Sequence, residues 1–112
     1  MFIPLSSLVL GAALLLPVAD GVPRFNVEPG CRATASIGDG LDASLSICQA
    51  DEQSAKAQLE ADWSKYSRRL HEICTTLTTT GGFPSYVELL ECLIIGQEAQ
   101  KLEKAQSGDA KH

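Results

Sequence analysis

The sequence predicts an all-α domain of about four helices, built as two disulfide-stapled helical hairpins behind an N-terminal signal peptide. Three observations carry this prediction. Four cysteines fall in two similar frames: sixteen residues separate Cys31 from Cys48, and seventeen separate Cys74 from Cys92. Around them a pattern recurs. Gly38 and Gly81 each lie seven residues after the first cysteine of a frame, while Gln53 with Ala55, and Gln97 with Ala99, lie five and seven after the second. Such recurrence points to one supersecondary unit used twice. Finally, apolar positions such as Leu45, Cys48, Ala55, Leu59 and Trp63 follow helical spacing, interrupted by Glu52.

Residues 1–21 read as a signal peptide. Residues 5–18 are a nearly continuous apolar run, shorter than the ~20 residues a membrane span needs. Pro17 and Asp20 break it, and cleavage is expected after Ala19 or Gly21. The first Lys or Arg is Arg24, so the terminal amine is the only positive charge ahead of the run. Residues 22–106 form the four-cysteine domain, with duplicated halves at 26–63 and 68–105. Residues 107–112 read as a flexible polar tail.

Within the domain, residues 22–25 are an extended lead, because Pro23 disfavours helix at Val22. Asn26 is placed to cap a helix from residue 27 to about 37, with Pro29 in its first turn, where a missing N–H costs little. Gly38, Asp39 and Gly40 end that helix in a turn. Asp42 is placed to cap the second helix, running to about residue 65, with Glu52 and Lys56 as a supportive i,i+4 pair. A break falls at residues 64–67. The third helix spans residue 68 to about 78, its inner stripe being Leu70, Ile73, Cys74 and Leu77, and Gly81-Gly82 stops it. Ser85 and Glu88 form a capping box that starts the fourth helix, which runs to about residue 105.

Level positions rank the three possible cysteine pairings. In an antiparallel hairpin, Cys31 and Cys48 lie at similar distances from the first loop, and Cys74 and Cys92 flank the second loop likewise. Cys48 and Cys74 are not level across the 64–67 break. The expected bridges are therefore Cys31–Cys48 and Cys74–Cys92. Two disulfides in a short secreted chain compensate for a small core. Ala55 and Ala99, two turns beyond a cysteine, would let a neighbouring helix approach closely. Gln53 and Gln97 are read as solvated or as interhelical hydrogen-bond donors.

Composition narrows the function. A net charge of −5 and a sequence pI near 4.9 argue against a dominant nucleic-acid role and against electrostatic binding to anionic lipid. The densest basic cluster, Lys65, Arg68 and Arg69, reads as a solvated helix junction. His71 and Cys74 share a helix face at i,i+3, but a zinc site needs four ligands, and the remaining cysteines are committed to bridges. No Cys-x-x-Cys or Gly-x-Ser-x-Gly motif is present. The carboxylate neighbours Asp51-Glu52 and Glu88-Glu91, with Asp42, read as solvated helix faces. The segment from Leu89 to Ile95 is apolar on nearly every side, which reads first as a central core helix and, as the alternative, as a helix with one flank exposed to a partner. Trp63 and Tyr66 read as the edge of the core.

With Asn26-Val27-Glu28 before Cys31, Glu52-Gln53-Ser54-Ala55 after Cys48, Trp63, and Ser85-Tyr86 before Cys92, the chain resembles uncharacterised small secreted or periplasmic four-cysteine helical proteins of bacteria. The resemblance covers roughly residues 24–100 and rests on structural motifs. It implies a periplasmic or exported helical domain and brings no activity, cofactor or catalytic residue. The second half carries Gly96 where the first carries Glu52. The expected function is thus an exported, non-enzymatic helical protein acting through contacts with a protein partner. No cofactor, nucleic acid or membrane association of the mature chain is expected. The alternative is a small hydrolase or ligand carrier in which His71 lines a concave site beside Glu72, Glu88 or Glu91.

Overall fold

A computed structural model of the chain describes residues 21–36 and 41–110. Among these there are four α-helices and no strand: α1 (Glu28–Ala35), α2 (Leu41–Asp62), α3 (Arg68–Thr80) and α4 (Tyr86–Ala110). A 3₁₀ turn, Trp63–Lys65, joins α2 to α3. The all-α expectation holds. The signal segment ahead of Gly21, the turn at Gly38–Asp39–Gly40 and the end of the first predicted helix at Ile37 lie outside the described residues.

The helix boundaries shift for identifiable reasons. Asn26 does serve the start of α1, accepting from Glu28 N–H at 3.2 Å, but Val27 holds the formal cap position. Asp42 lies inside the first turn of α2 and is not its cap; there its charge still favours the helix start. Ser67 caps α3 by accepting from Leu70 N–H at 3.2 Å, with extended backbone suited to that role. Helix α3 continues through its threonines to Thr80, and there the Thr79 and Thr80 hydroxyls donate back to carbonyls one turn earlier. Gly82, at φ +143°, makes the turn that follows. Helix α4 runs to Ala110, so residues 107–110 are helical where a loose tail was expected from Ser107.

The helices pack in the spatial order α1, α2, α4, α3, each against its neighbours in that order. Helix α4 therefore has helices on two sides, which explains why its apolar residues spread around the axis instead of forming one stripe. Leu59 of α2 and Leu89 and Leu93 of α4 are wholly excluded from water. Each such leucine contributes about 1.5–3 kcal/mol of transfer free energy. Ala55, Leu70, Cys74 and Tyr86 complete the buried cluster, with Trp63 and Tyr66 packed at its edge as expected. On α3 the expected inner stripe is half right. Leu70 and Cys74 are buried, whereas Ile73 and Leu77 are exposed and Thr78 is buried in their place. Among the described helices α3 packs on α4 alone, and one helix covers a narrower inner face than four apolar residues would fill.

Both bridges form as expected, Cys31–Cys48 and Cys74–Cys92, each with a Cα separation of 5.6 Å. They join α1 to α2 and α3 to α4, tying two antiparallel hairpins near their loops.

Candidate functional site

Three assemblies of side chains stand out. The first surrounds Glu52, which the apolar spacing of α2 passes over as an interruption. Glu52 is only 6 % exposed. One of its carboxylate oxygens accepts from Ser85 O–H at 2.5 Å, and the other from Tyr86 N–H at 2.6 Å. Ser85 Oγ in turn accepts from Glu88 N–H at 3.2 Å. Half of the expected capping box thus forms as drawn, and a carboxylate from α2 accepts the next N–H, that of Tyr86, and the Ser85 hydroxyl. Charge-assisted hydrogen bonds of this kind are about twice as strong as neutral ones, and a negative charge suits a helix N-terminus. The missed signal was positional, since residues 48, 52, 55 and 59 follow one helical stripe and Glu52 lies within it. The expected Glu52–Lys56 pair does not form in that role; the Lys56 ammonium instead lies 5.7 Å from the Tyr86 ring centroid.

The second assembly anchors the N-terminal lead. Tyr86 O–H donates to the Pro23 carbonyl at 3.0 Å and accepts from Phe25 N–H at 2.8 Å. The Phe25 and Tyr86 rings lie 4.8 Å apart. Both hydrogen-bonding functions of the phenol are therefore used to hold the lead against the start of α4.

The third lies where α2 passes into α3. The Trp63 and His71 rings stack at 3.8 Å with 1° between their planes. His71 Nε2 sits 2.9 Å from the Trp63 carbonyl. A carbonyl only accepts, so this contact assigns the proton to Nε2. The junction is also tied to α4, where the Gln97 amide donates to the Lys65 carbonyl at 3.0 Å and the Gln100 amide to Ser67 Oγ at 3.3 Å. Gln97 thus belongs to an interhelical contact, while Gln53 is exposed.

Between this junction and the lead lies a depression of about 870 Å³. Trp63 and His71 face it from the 3₁₀ turn and α3, Arg24 from the lead, and Arg68 and Glu72 from α3. Its size falls in the range of small-molecule sites. His71 therefore lines a concave surface beside Glu72, as the alternative function requires. Glu88 and Glu91 do not join it; they flank other, smaller depressions. Asp42 and Asp51 are exposed on α2. Cys74, i+3 from His71, spends its sulfur in the bridge to Cys92. Among the described residues no three His, Cys, Asp or Glu side chains gather as metal ligands, and no helix is long and apolar enough to cross a membrane.

The two alanines of the recurring pattern differ. Ala55 is buried against the core, whereas Ala99 is exposed. Close approach on α4 occurs instead at Gly96, where an added Cβ would lie 2.4 Å from Leu70 Cδ2. In the segment from Leu89 to Ile95, Leu89 and Leu93 are core, and Ile94 and Ile95 are 45 % and 68 % exposed. Leu77 and Ile95 line one groove between α3 and α4, with Glu88 and Glu91 at its side. No protein-family model, curated protein or solved structure matches this chain.

Proposed function

We propose that this is an exported, non-enzymatic helical protein that acts through contacts with a protein partner in the periplasm or outside the cell. The observation that carries the reading is the groove between α3 and α4. Leu77 and Ile95, both more than 60 % exposed, are its large apolar lining residues, and Ile73 extends the exposed apolar surface of α3. Exposed apolar residues that share one groove are the usual mark of an interaction surface. Glu88 and Glu91 beside it favour a partner with basic residues around an apolar anchor. Export is supported by the apolar segment at residues 5–18 and by two disulfides, which persist in oxidising compartments. The recurring cysteine frame supports descent of the two hairpins from one duplicated unit.

The oxidised protein, immobilised and exposed to an oxidising extract, should retain a partner that the Leu77→Asp and Ile95→Asp variants lose while keeping their helical circular dichroism. Retention of nothing above background, or equal retention by both variants, removes the reading. Export has its own measurement: mass spectrometry of the processed chain should find it beginning at Asp20 or Val22, and a cytosolic product retaining Met1 would contradict it.

A second reading is favoured by the position of His71. A depression of about 870 Å³ walled by a stacked Trp–His pair suits a carrier of a small ligand, and this use does not exclude the groove on α3 and α4.

A further inference from the structure

We infer that the groove between α3 and α4 seats an amphipathic helix of a partner protein, with an apolar edge flanked by Lys or Arg. This inference deepens the reading of the groove as an interaction surface and rests on it. The argument begins with spacing. Ile95, Ala99 and Leu102 of α4 are all exposed and follow one another by four and then three residues. That alternation keeps them on one edge of the helix, and it makes the kind of seam that a second helix packs against. Leu77 adds an exposed apolar side chain from α3, in the same groove as Ile95. Ala99, small and set between two larger residues, is where the backbone of an incoming helix approaches closely.

The far half of the stripe lies where α4 is bare. Residues 101–108 are all exposed, and Leu102 among them keeps 63 % of its surface in water. A helix end with no packed face draws little stability from its own hydrogen bonds. An apposed helix would cover Leu102 and supply the packing that this end lacks.

Charge decides the occupant. Glu88 and Glu91 lie beside the stripe, two turns and one turn before Ile95. Both are exposed, and neither forms an ion pair among the described residues. Of the nine Lys and Arg, only Lys111 lies outside the described residues, and none of the others pairs with them. Glu98, farther along, is already met by Lys101 at 3.5 Å, which leaves Glu88 and Glu91 as the groove's own open charges. Lys or Arg on the flank of an incoming helix meets these carboxylates and steers its approach. A second copy of this chain laid on the same face presents the same glutamates, and two chains of net charge −5 repel.

The purified chain, with both bridges formed and its N-terminus read by mass spectrometry, is titrated into fluorescein-labelled synthetic peptides of about five helical turns. The first carries leucines along one helical edge, flanked by lysines. The second replaces those lysines with glutamates. The third keeps the composition of the first and scatters its leucines around the helix. Anisotropy should saturate with the first, and binding of the other two should be at least about tenfold weaker. Leu77→Asp and Ile95→Asp should each weaken the first peptide about tenfold or more. Glu91→Gln should weaken it about two- to fivefold, the range of an exposed charge contact, and that loss should shrink as salt is added. Glu60→Gln removes an equal charge from an exposed position on α2 and should leave the affinity unchanged, which separates the groove from general attraction to an acidic chain. Equal binding of the glutamate peptide, still lost in Ile95→Asp, overturns the basic flank and leaves the groove standing as an interaction surface. Equal binding of the scattered peptide overturns the helix. Binding that neither Leu77→Asp nor Ile95→Asp alters overturns the groove, and with it the reading on which the inference rests. A dimer in sedimentation that Ile95→Asp dissolves identifies the occupant as a second copy and overturns the partner helix. No response to any peptide, in protein whose circular dichroism is helical, overturns the inference, while retention of a partner from the extract decides the interaction reading by itself.

Discussion

The Glu52 carboxylate has one oxygen taken by a hydroxyl and the other by a backbone N–H of a different helix. Replacing it with alanine leaves the Tyr86 N–H and the Ser85 hydroxyl without that acceptor in a buried place. The cost of such a loss is about 1–3 kcal/mol. Urea denaturation of Glu52→Ala should show a drop of that size in unfolding free energy, with Glu52→Gln between it and the parent. Because Ser85 shares the network, the Glu52→Ala/Ser85→Ala pair should be less destabilised than the sum of the singles. Gly96 offers a second residue-scale test, in which two effects oppose. Alanine is the better helix former by about 0.5–1 kcal/mol, but its methyl would fall on Leu70 Cδ2, and overpacking costs about 1–3 kcal/mol. Gly96→Ala should therefore lower the thermal midpoint in the parent, and raise it when introduced into Leu70→Ala, where the space is vacant. The same sign in both backgrounds would show that the close approach has no energetic weight.

Among the elements, the lead and α1 have separate attachments. The lead is held by the Tyr86 hydroxyl, and α1 packs on α2. Tyr86→Phe keeps the ring contact with Phe25 and removes both hydrogen bonds. Amide exchange at Phe25 should rise markedly, with little change in the amides of α2. Replacing Cys31 and Cys48 together by alanine should release α1 alone, while replacing Cys74 and Cys92 should loosen α3 against α4 and disturb the core. The chain-entropy cost is about 3 kcal/mol in each case, so exchange mapping, more than the denaturation midpoint, separates the two. Element by element, the cysteine spacing made the hairpins and their pairing legible, because level positions in a hairpin are fixed by the helical rise. The stripe on α3 was less legible. Spacing says which residues share a face, and not how much of that face a neighbour covers, so Ile73 and Leu77 looked buried. Glu52 was hidden by its chemistry: a carboxylate in an apolar stripe reads as a break until a helix start on another element is known to meet it. The Ser67 cap was written in the sequence just before Arg68 and was read only as a break.

For the whole molecule, the site was legible in one residue and illegible in its assembly. His71 was singled out with Glu72 as one possible neighbour, but nothing local connects it to Trp63 eight residues earlier or to Arg24 on the lead. Those meetings depend on the 3₁₀ turn and on the phenol that holds the lead, both consequences of how α4 lies. The stability of the entire domain follows from the same arrangement. Domains of this kind are stable by about 5–15 kcal/mol, and two bridges at about 3 kcal/mol each are a large share of that. Reduction should lower the thermal midpoint strongly and broaden the exchange of all four helices.

The spatial order of the helices has a consequence for how the chain comes into being. Helix α4 is the last of the described helices in sequence, yet it lies between α2 and α3. Tyr86, Leu89, Leu93 and Cys92 all belong to it. As synthesis delivers the chain from its N-terminus, only the α1–α2 hairpin of the described helices has its partners present early, and of the two bridges Cys31–Cys48 is the one whose cysteines have both arrived. Leu59, Leu70 and the Cys74 thiol wait for the final segment. The core and the second bridge stay unformed until α4 is delivered. A molecule interrupted before Tyr86 would carry a bare thiol and no core, a state that a protease can distinguish from the finished protein.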